Sequence, residues 1–348
     1  MTATEEPTGS LSRAPGESRG RQRGRKRRDE FQMVPDAEFT SYYGRPVVKP
    51  APWTNDIPAY LFLGGLAAGS SLLGAGGAAT GRDALRRTGR IGALAAISGS
   101  MYALVHDLGK PSRFHHMLRV AKPTSPMSVG TWILTVYGPM AGIAGAAELL
   151  PDRLRHGLAG TILRRLATPA GLVAAAVAPA VASYTAVLLA DTATPGWHEA
   201  HRQLPFVFVG SAAAAAGGLG MLGAPADQAA PARRLAVGGA LLELAMSHRM
   251  EADMGIAAET LHTGKAGRLL TASKALTSVG AVGAACLAGR SRFVAALSGA
   301  ALLAGSACTR FAVFEAGQES ARDPKFTVVP QRERLNTGHS ARGDGPHN

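Results

Sequence analysis

Cysteine is almost missing from this chain, with only Cys286 and Cys308 among 348 residues. The two lie far apart and no CxxC or CxxCH occurs, so the chain has no framework of its own for an iron–sulphur cluster, a c-type haem or a structural zinc. Both read as small buried residues. Aromatic residues are scarce as well, at 5%. No stretch offers a Gly-rich phosphate cradle after a strand, a metal-ligand spacing or a serine-nucleophile context. The most informative absence is charge. Asp56 and Arg82 are separated by 25 uncharged residues, Lys122 and Glu148 by 25, Arg165 and Asp191 by 25, and Arg202 and Asp227 by 24. A soluble amphipathic helix would carry charge on its outer face. A bilayer core, by contrast, is crossed by about 20 mostly apolar residues.

Four weaker windows fill the gaps. Residues 91–106 carry no acid, Lys or Arg; 235–248 hold one acid, Glu243; 269–289 hold one base, Lys274; 293–309 are uncharged. The sequence therefore predicts an all-α, polytopic membrane protein with eight transmembrane helices in a bundle, because only helices or closed barrels satisfy the backbone in lipid. The predicted spans are 57–81, 91–106, 126–147, 166–190, 204–223, 235–248, 269–289 and 293–309. Three regions follow: a disordered basic N-terminal tail (1–52), an eight-helix domain (53–315) and a polar C-terminal tail (316–348). No apolar stretch follows the basic run at 23–28 closely enough for a cleaved secretory signal. The net charge of +13 reads as tail and loop arginine beside a lipid bilayer, with no nucleic-acid footprint.

Strict alternation then assigns the loops to faces. One face receives only short basic connections, with Arg82, Arg86, Arg87, Arg90, Arg153, Arg155, Arg164, Arg165, Arg233, Arg234, Arg290 and Arg292. The other receives both tails, Asn55 and Asp56, the whole 106–128 loop, residues 191–202, and Arg310 with Glu315. Counting Lys and Arg in short loops puts the elaborate face outside; the basic N-terminal run pulls the other way, so orientation stays open.

Polar groups within spans are few. An intramembrane acid is a functional candidate by default, but Glu243 also reads as a structural partner of a nearby base near the interface. Tyr184 falls about two turns below Asp191. Small residues at four-residue spacing in the first span (Gly65 and Gly69, Ser70 and Gly74, Gly77 and Gly81) permit close helix contact. The histidines sit at span ends or in loops, which argues against axial haem ligands. The 107–128 loop gathers Asp107, Lys110, Arg113, His115, His116, Arg119 and Lys122, more charge than a plain linker needs.

Three stretches, "PWTNDIPAYLFLGGLAAGS" (52–70), "HDLGKPSRFHHMLRVAKPTSPMSVGTW" (106–132) and "SYTAVLLADTATPGW" (183–197), resemble the NrfD/polysulphide-reductase membrane subunit family, and the likeness runs from about 53 to 327. The resemblance implies a cofactor-free membrane anchor in the cell (inner or plasma) membrane. It would exchange electrons between a quinone, menaquinone or ubiquinone, and a partner iron–sulphur subunit of a molybdopterin-containing oxidoreductase. It implies quinone contacts from Asn55, within Trp53-Thr54-Asn55, and from Tyr184. The family's histidine one turn after the asparagine is replaced here by the run Ile57–Tyr60, leaving Tyr60 as the substitute. His106, Asp107 and Glu243 are the expected proton relay, and Lys110, Arg113 and Arg119 the expected docking residues. The competing class is a transporter or channel using Glu243, although the two halves share no sequence motif. An even number of spans places both tails on one side. Maleimide labelling of Ser10→Cys and Ser340→Cys, each in a chain freed of its two native cysteines, should therefore occur from the same side of the membrane. Labelling from opposite sides defeats the eight-span topology.

Overall fold

The computed structural model describes residues 46–343 except residue 156. The basic run at 23–28 and most of the 1–52 tail lie outside the described residues. Eight long helices follow in order: α1 (Asp56–Ala79), α2 (Asp83–Asp107), α3 (Pro126–Leu149), α4 (Leu158–Ala190), α5 (Leu204–Gly223), α6 (Ala230–Asp253), α7 (Gly264–Cys286) and α8 (Arg292–Arg322). A ninth, α9, covers Lys325–Gly343, and a 3-10 helix, Pro111–Arg119, lies in the loop between α2 and α3. No strand occurs among the described residues.

Six of the helices, α1, α3, α4, α5, α7 and α8, are long and apolar enough to cross a membrane. By the same measure α2 fails alone; with the 3-10 helix, bent from it by 100°, it forms one further candidate. Outward-facing apolar side chains are distributed over the bundle: Trp132 and Val136 on α3, Leu166 and Leu172 on α4, Leu241 on α6, Val279 and Val282 on α7, Phe293 and Leu297 on α8. Monomeric soluble proteins rarely expose apolar surface on that scale. Lipid solvates it. Cys286 shares this setting: it was expected buried, but is exposed at the end of α7, because the outside of a membrane bundle is as tolerant of a small apolar side chain as its inside.

The helices form two rings of four. In the first, α1 packs on α2, α2 on α3, α3 on α4 and α4 back on α1. In the second, α5 through α8 repeat the same circuit, and the rings meet mainly where α1 and α4 touch α5 and where α1 touches α8. The adjacency repeats although the sequence does not. One end of the assembly gathers the starts of α1, α3 and α7 with the ends of α2, α4 and α8: Thr54 bonds Asp107, Lys265 pairs with Glu315, and Gln318 bonds the Ala51 carbonyl. At the other end Gln228 accepts from the Ala84 amide, Arg86 and Arg90 share Glu148, and Arg292 donates to the Ala224 carbonyl.

Small residues set the spacing within the rings. A methyl on Gly89 would lie 2.7 Å from the Ser70 carbonyl oxygen and 2.7 Å from the Gly74 Cα, so α1 and α2 touch through their backbones. Gly81 works differently from the packing role expected of it. A methyl there would meet nothing within 4 Å, and its φ of +64° turns the chain from α1 into α2. At the other end of the chain, α8 continues past the predicted boundary at 315. Its last two turns are held because Gln318 and Ser320 are buried, Ser320 accepting a hydrogen bond from the Gly196 amide. The polar composition there marks contacts with the 51–56 and 194–198 segments, and the 316–348 stretch is helical over most of its described length.

The α1–α2 contact yields a paired expectation. Gly89→Ala forces two backbones apart and should cost about 1–3 kcal/mol, read as a lower melting temperature of the purified chain in detergent. Gly76→Ala, where an added methyl meets nothing within 4 Å, should leave stability unchanged or slightly raised. Equal effects from the two would refute a backbone contact at Gly89.

Candidate functional site

The first ring closes imperfectly at the end carrying the 106–128 loop, leaving an apolar cavity of about 560 Å³. Each wall has a local cause. α1 begins at Asp56 and presents Ile57, Tyr60 and Leu61; the end of α2 brings Leu104 and Asp107; α4 brings Tyr184, Leu188 and Leu189. α3 starts at Pro126, where the missing amide costs nothing in a first turn, and contributes Met127, Gly130, Thr131 and Leu134. The loop reaches over the top with Leu108, Gly109 and Met117.

Deep in the cavity the Tyr60 and Tyr184 hydroxyls hydrogen-bond each other across the ring, from α1 to α4. Both side chains are buried. A methyl on Gly130 would fall 2.6 Å from Tyr184 Cδ2, so the absence of a side chain at 130 is what lets the tyrosine ring lie against α3. Of the two phenolic protons, one is used in the mutual bond, and the other remains to be donated to whatever enters the cavity.

The rim is polar and continuous with the surface. Asp107 Oδ1 accepts from the Thr54 amide at 3.0 Å and from the Thr54 hydroxyl at 2.8 Å. That hydroxyl also lies 3.1 Å from Asp56 Oδ2, whose carboxylate meets His106 Nδ1 at 2.7 Å. Thr54 has one hydroxyl proton for two carboxylates, so the bridge donates to one at a time. The 51–56 segment is fixed from behind: Trp53 stacks on Trp197 at 5.7 Å, Trp197 packs against Phe314 at 5.9 Å, and the Trp197 indole donates to the Val313 carbonyl at 2.8 Å. A smaller apolar pocket of about 120 Å³ shares Leu104, Leu108, Met117, Thr131 and Leu134 with the cavity and extends it between α2, α3 and Phe114 and Leu118 of the 3-10 helix. A larger, open depression of about 850 Å³ at the opposite end is lined by Arg86, Arg87 and Glu148, and its ion pairs suit solvent and headgroups better than an apolar ligand.

Tyr60, Tyr184 and Asp107 thus share one chamber. Asn55 does not line it: it is exposed at the start of α1 and its side chain caps no helix amide. His106 stands just outside, on Asp56. Lys110, Arg113 and Arg119 are exposed on the loop and make no ion pair with a described residue. Glu243 lies in the second ring, buried beside Thr309 and Arg310. Arg249, the base nearest to it in sequence, turns instead toward Asp253 at 3.8 Å. Sequence reasoning missed Arg310 as the counter-charge of Glu243, since Arg310 seemed to end a span. The continuation of α8 to Arg322 is what carries it inside. Thr54, named in the sequence only within the Trp53-Thr54-Asn55 stretch, takes a bridging role between the two acids Asp56 and Asp107.

The fold and cavity together define a polytopic helical membrane protein with an apolar chamber, floored by a tyrosine pair and opening toward one membrane face. Within that class the sequence has a specific place. The model of the family described as polysulphide reductase, NrfD, matches residues 47–232, more than half of the chain, and the chain belongs to this family. The matched segment spans α1 to α5 and contains every residue lining the cavity. No individual curated protein matches the chain. NrfD proteins are membrane subunits of quinone-reactive oxidoreductase complexes, associated with catalytic and iron–sulphur subunits.

Proposed function

We propose that the cavity beneath the 106–128 loop binds a membrane quinone, menaquinone or ubiquinone, and that the chain passes electrons between the quinone pool and an iron–sulphur subunit of a molybdopterin oxidoreductase. The observation that carries this reading is the Tyr60–Tyr184 hydroxyl pair at the base of an otherwise apolar chamber. Ligand sites of this kind combine apolar walls with a few placed polar groups. A quinone ring needs apolar walls and one donor at a carbonyl oxygen; the pair supplies one outgoing proton. The apolar extension past Met117 and Phe114 suits the isoprenoid tail.

Oxidation of a quinol releases two electrons and two protons. In this reading the electrons go to the partner's iron–sulphur cluster. The protons have a chain of polar groups available: Asp107 at the rim, the Thr54 hydroxyl, Asp56 and finally His106 at the surface. Asn55 stands at the mouth, where its amide is available to an incoming headgroup rather than to a ligand seated against Tyr60. Lys110, Arg113 and Arg119 project from the lid of the same chamber as guanidinium and ammonium groups suited to an acidic partner. Docking there would set the cluster above the quinone.

The same reading takes all eight helices as membrane spans of the cell membrane, α2 and α6 included. α6 carries Leu241 outward and places Glu243 inward; of the arginines near the start of α2, Arg86 and Arg87 can reach the interface, while Arg90 is buried against Glu148.

Two measurements test the proposal in membranes containing the assembled complex. Tyr184→Phe deletes one hydroxyl and keeps the ring, so quinone affinity should fall by a factor equivalent to about 0.5–1.5 kcal/mol with assembly unchanged. Wild-type affinity and turnover in that variant sinks the cavity assignment. Reversing charge at Arg113 and Arg119 together should release the iron–sulphur partner from membranes at moderate salt, weakening its retention by roughly tenfold or more. A complex that survives that change docks elsewhere.

A further inference from the structure

The second ring repeats the circuit of the first, but its interior is filled differently. Each of its helices sends polar groups to one buried cluster: Ser211 from α5, Glu243 from α6, Ser273 and Thr277 from α7, and Ser306, Thr309 and Arg310 from α8. The Thr309 hydroxyl reaches Glu243 Oε1 at 2.5 Å and Ser273 Oγ at 2.6 Å, while Ser211 donates to Ser306 at 2.8 Å. Arg310 Nη2 is committed to the Phe208 carbonyl at 2.7 Å, with its guanidinium carbon 3.8 Å above the Phe208 ring.

A purely structural Glu–Arg pair in a dry interior would close as two parallel bonds, because an uncompensated buried charge is costly. This one does not close. Glu243 Oε2, Arg310 Nε and Nη1, and Thr277 Oγ1 are buried with no hydrogen-bond partner. The carboxylate is held by a hydroxyl instead, and a hydroxyl can both accept and donate. Below Thr309 the hydroxyls continue toward the end of the bundle that carries Arg292. Thr277 lies against Gly305, where a methyl would come within 2.6 Å of its oxygen, and Ser306 follows one turn down α8. Ser298, buried two further turns along, packs against α7 at Gly283. Arg310 is the charged group acting on Glu243, and α5 and α7 bring the Ser211 and Ser273 hydroxyls to the same cluster.

We propose that Glu243 is a proton-exchanging carboxyl of a second site, separate from the apolar cavity, which communicates with water at the Arg292 end of the bundle along the Ser/Thr hydroxyls of α7 and α8. The species taken is a hydrated proton. One carboxylate beside a fixed guanidinium has neither the net charge nor the oxygen count to hold a metal cation. Arg310 keeps the carboxylate available as an acceptor, and the unpartnered donors and acceptors give bridging water its two to four bonds. Polar groups buried at membrane depth mark ion and proton pathways in general. The site also adjoins the first ring: a methyl on Gly65 of α1 would sit 3.2 Å from Arg310 Nη2, five residues along the helix from Tyr60.

This inference rests on the second ring alone and not on the quinone reading, and the test keeps the two apart. The full-length chain is reconstituted into liposomes holding a pH-sensitive dye, and a potassium diffusion potential is imposed with valinomycin. Wild type should carry protons faster than protein-free vesicles. Glu243→Gln should reduce that flux by at least about tenfold, while Glu243→Asp retains most of it. Thr277→Val, which changes no charge, should slow it, and Tyr184→Phe should leave it unchanged. Wild-type flux no greater than in protein-free vesicles, or equal flux in wild type and Glu243→Gln, overturns the proposal. Loss in Tyr184→Phe would overturn the separation of the two sites.

Discussion

Helices in lipid gain little by hiding apolar side chains from one another, because the surrounding tails are equally apolar. What remains is contact, and contact depends on how closely the backbones approach. The chain meets this constraint with glycine and alanine. Gly89 brings α2 onto α1 at Ser70 and Gly74, and Gly69 brings α1 onto Ala212 and Ala216 of α5. Gly218 and Gly299 join α5 to α8. Chamber and polar cluster alike depend on this close packing. Where the small residues give way to Tyr60, Leu134 and Tyr184, the first ring can no longer close, and a cavity forms between otherwise tight seams.

That cavity is apolar within and charged at its lip, and the division has a physical cause. Asp107 and Asp56 sit at helix ends, where water reaches them, and Thr54 ties the two carboxylates together. Set one turn deeper, either acid would need a buried counter-charge, as Glu243 has in Arg310. The tryptophan stack behind Thr54 holds the bridge against α8. The rim of the first ring is therefore positioned by the second, although the cavity itself belongs to α1 to α4.

Two rings with the same circuit but different contents explain why no repeat is visible in the sequence. Ring geometry in a membrane asks only for small residues on facing seams, and many arrangements of Gly, Ala and Ser satisfy it. Contents are specified by single residues instead. On the fifth residue of its first helix one ring has Tyr60 and the other Phe208. Across from them stand Tyr184 and Arg310 respectively. A buried polar cluster and an apolar chamber thus coexist on one framework, which is why both functional classes could be argued from the linear chain.

The uncharged windows at 57–81, 123–147, 166–190 and 203–226 determined four of the eight long helices, because exclusion of charge from hydrocarbon acts residue by residue. Alternation of the spans likewise brought Asn55, the 106–128 loop with Asp107, and Tyr184 to a common end without any coordinates, while Tyr60 entered only through the family resemblance. Which of those residues share a chamber was decided only by helix rotation, a property of the packed rings. Rotation turned Tyr60 onto Tyr184 and left Asn55, one turn away, facing outward. The partner of Glu243 was equally hidden: proximity along the chain favoured Arg249, but helix packing placed Arg310 beside it from another helix. Hydropathy is additive along a sequence, so the sequence by itself determined that the chain enters a membrane and roughly where. Side-chain meetings depend on which seams interlock, and only the tertiary structure decided those.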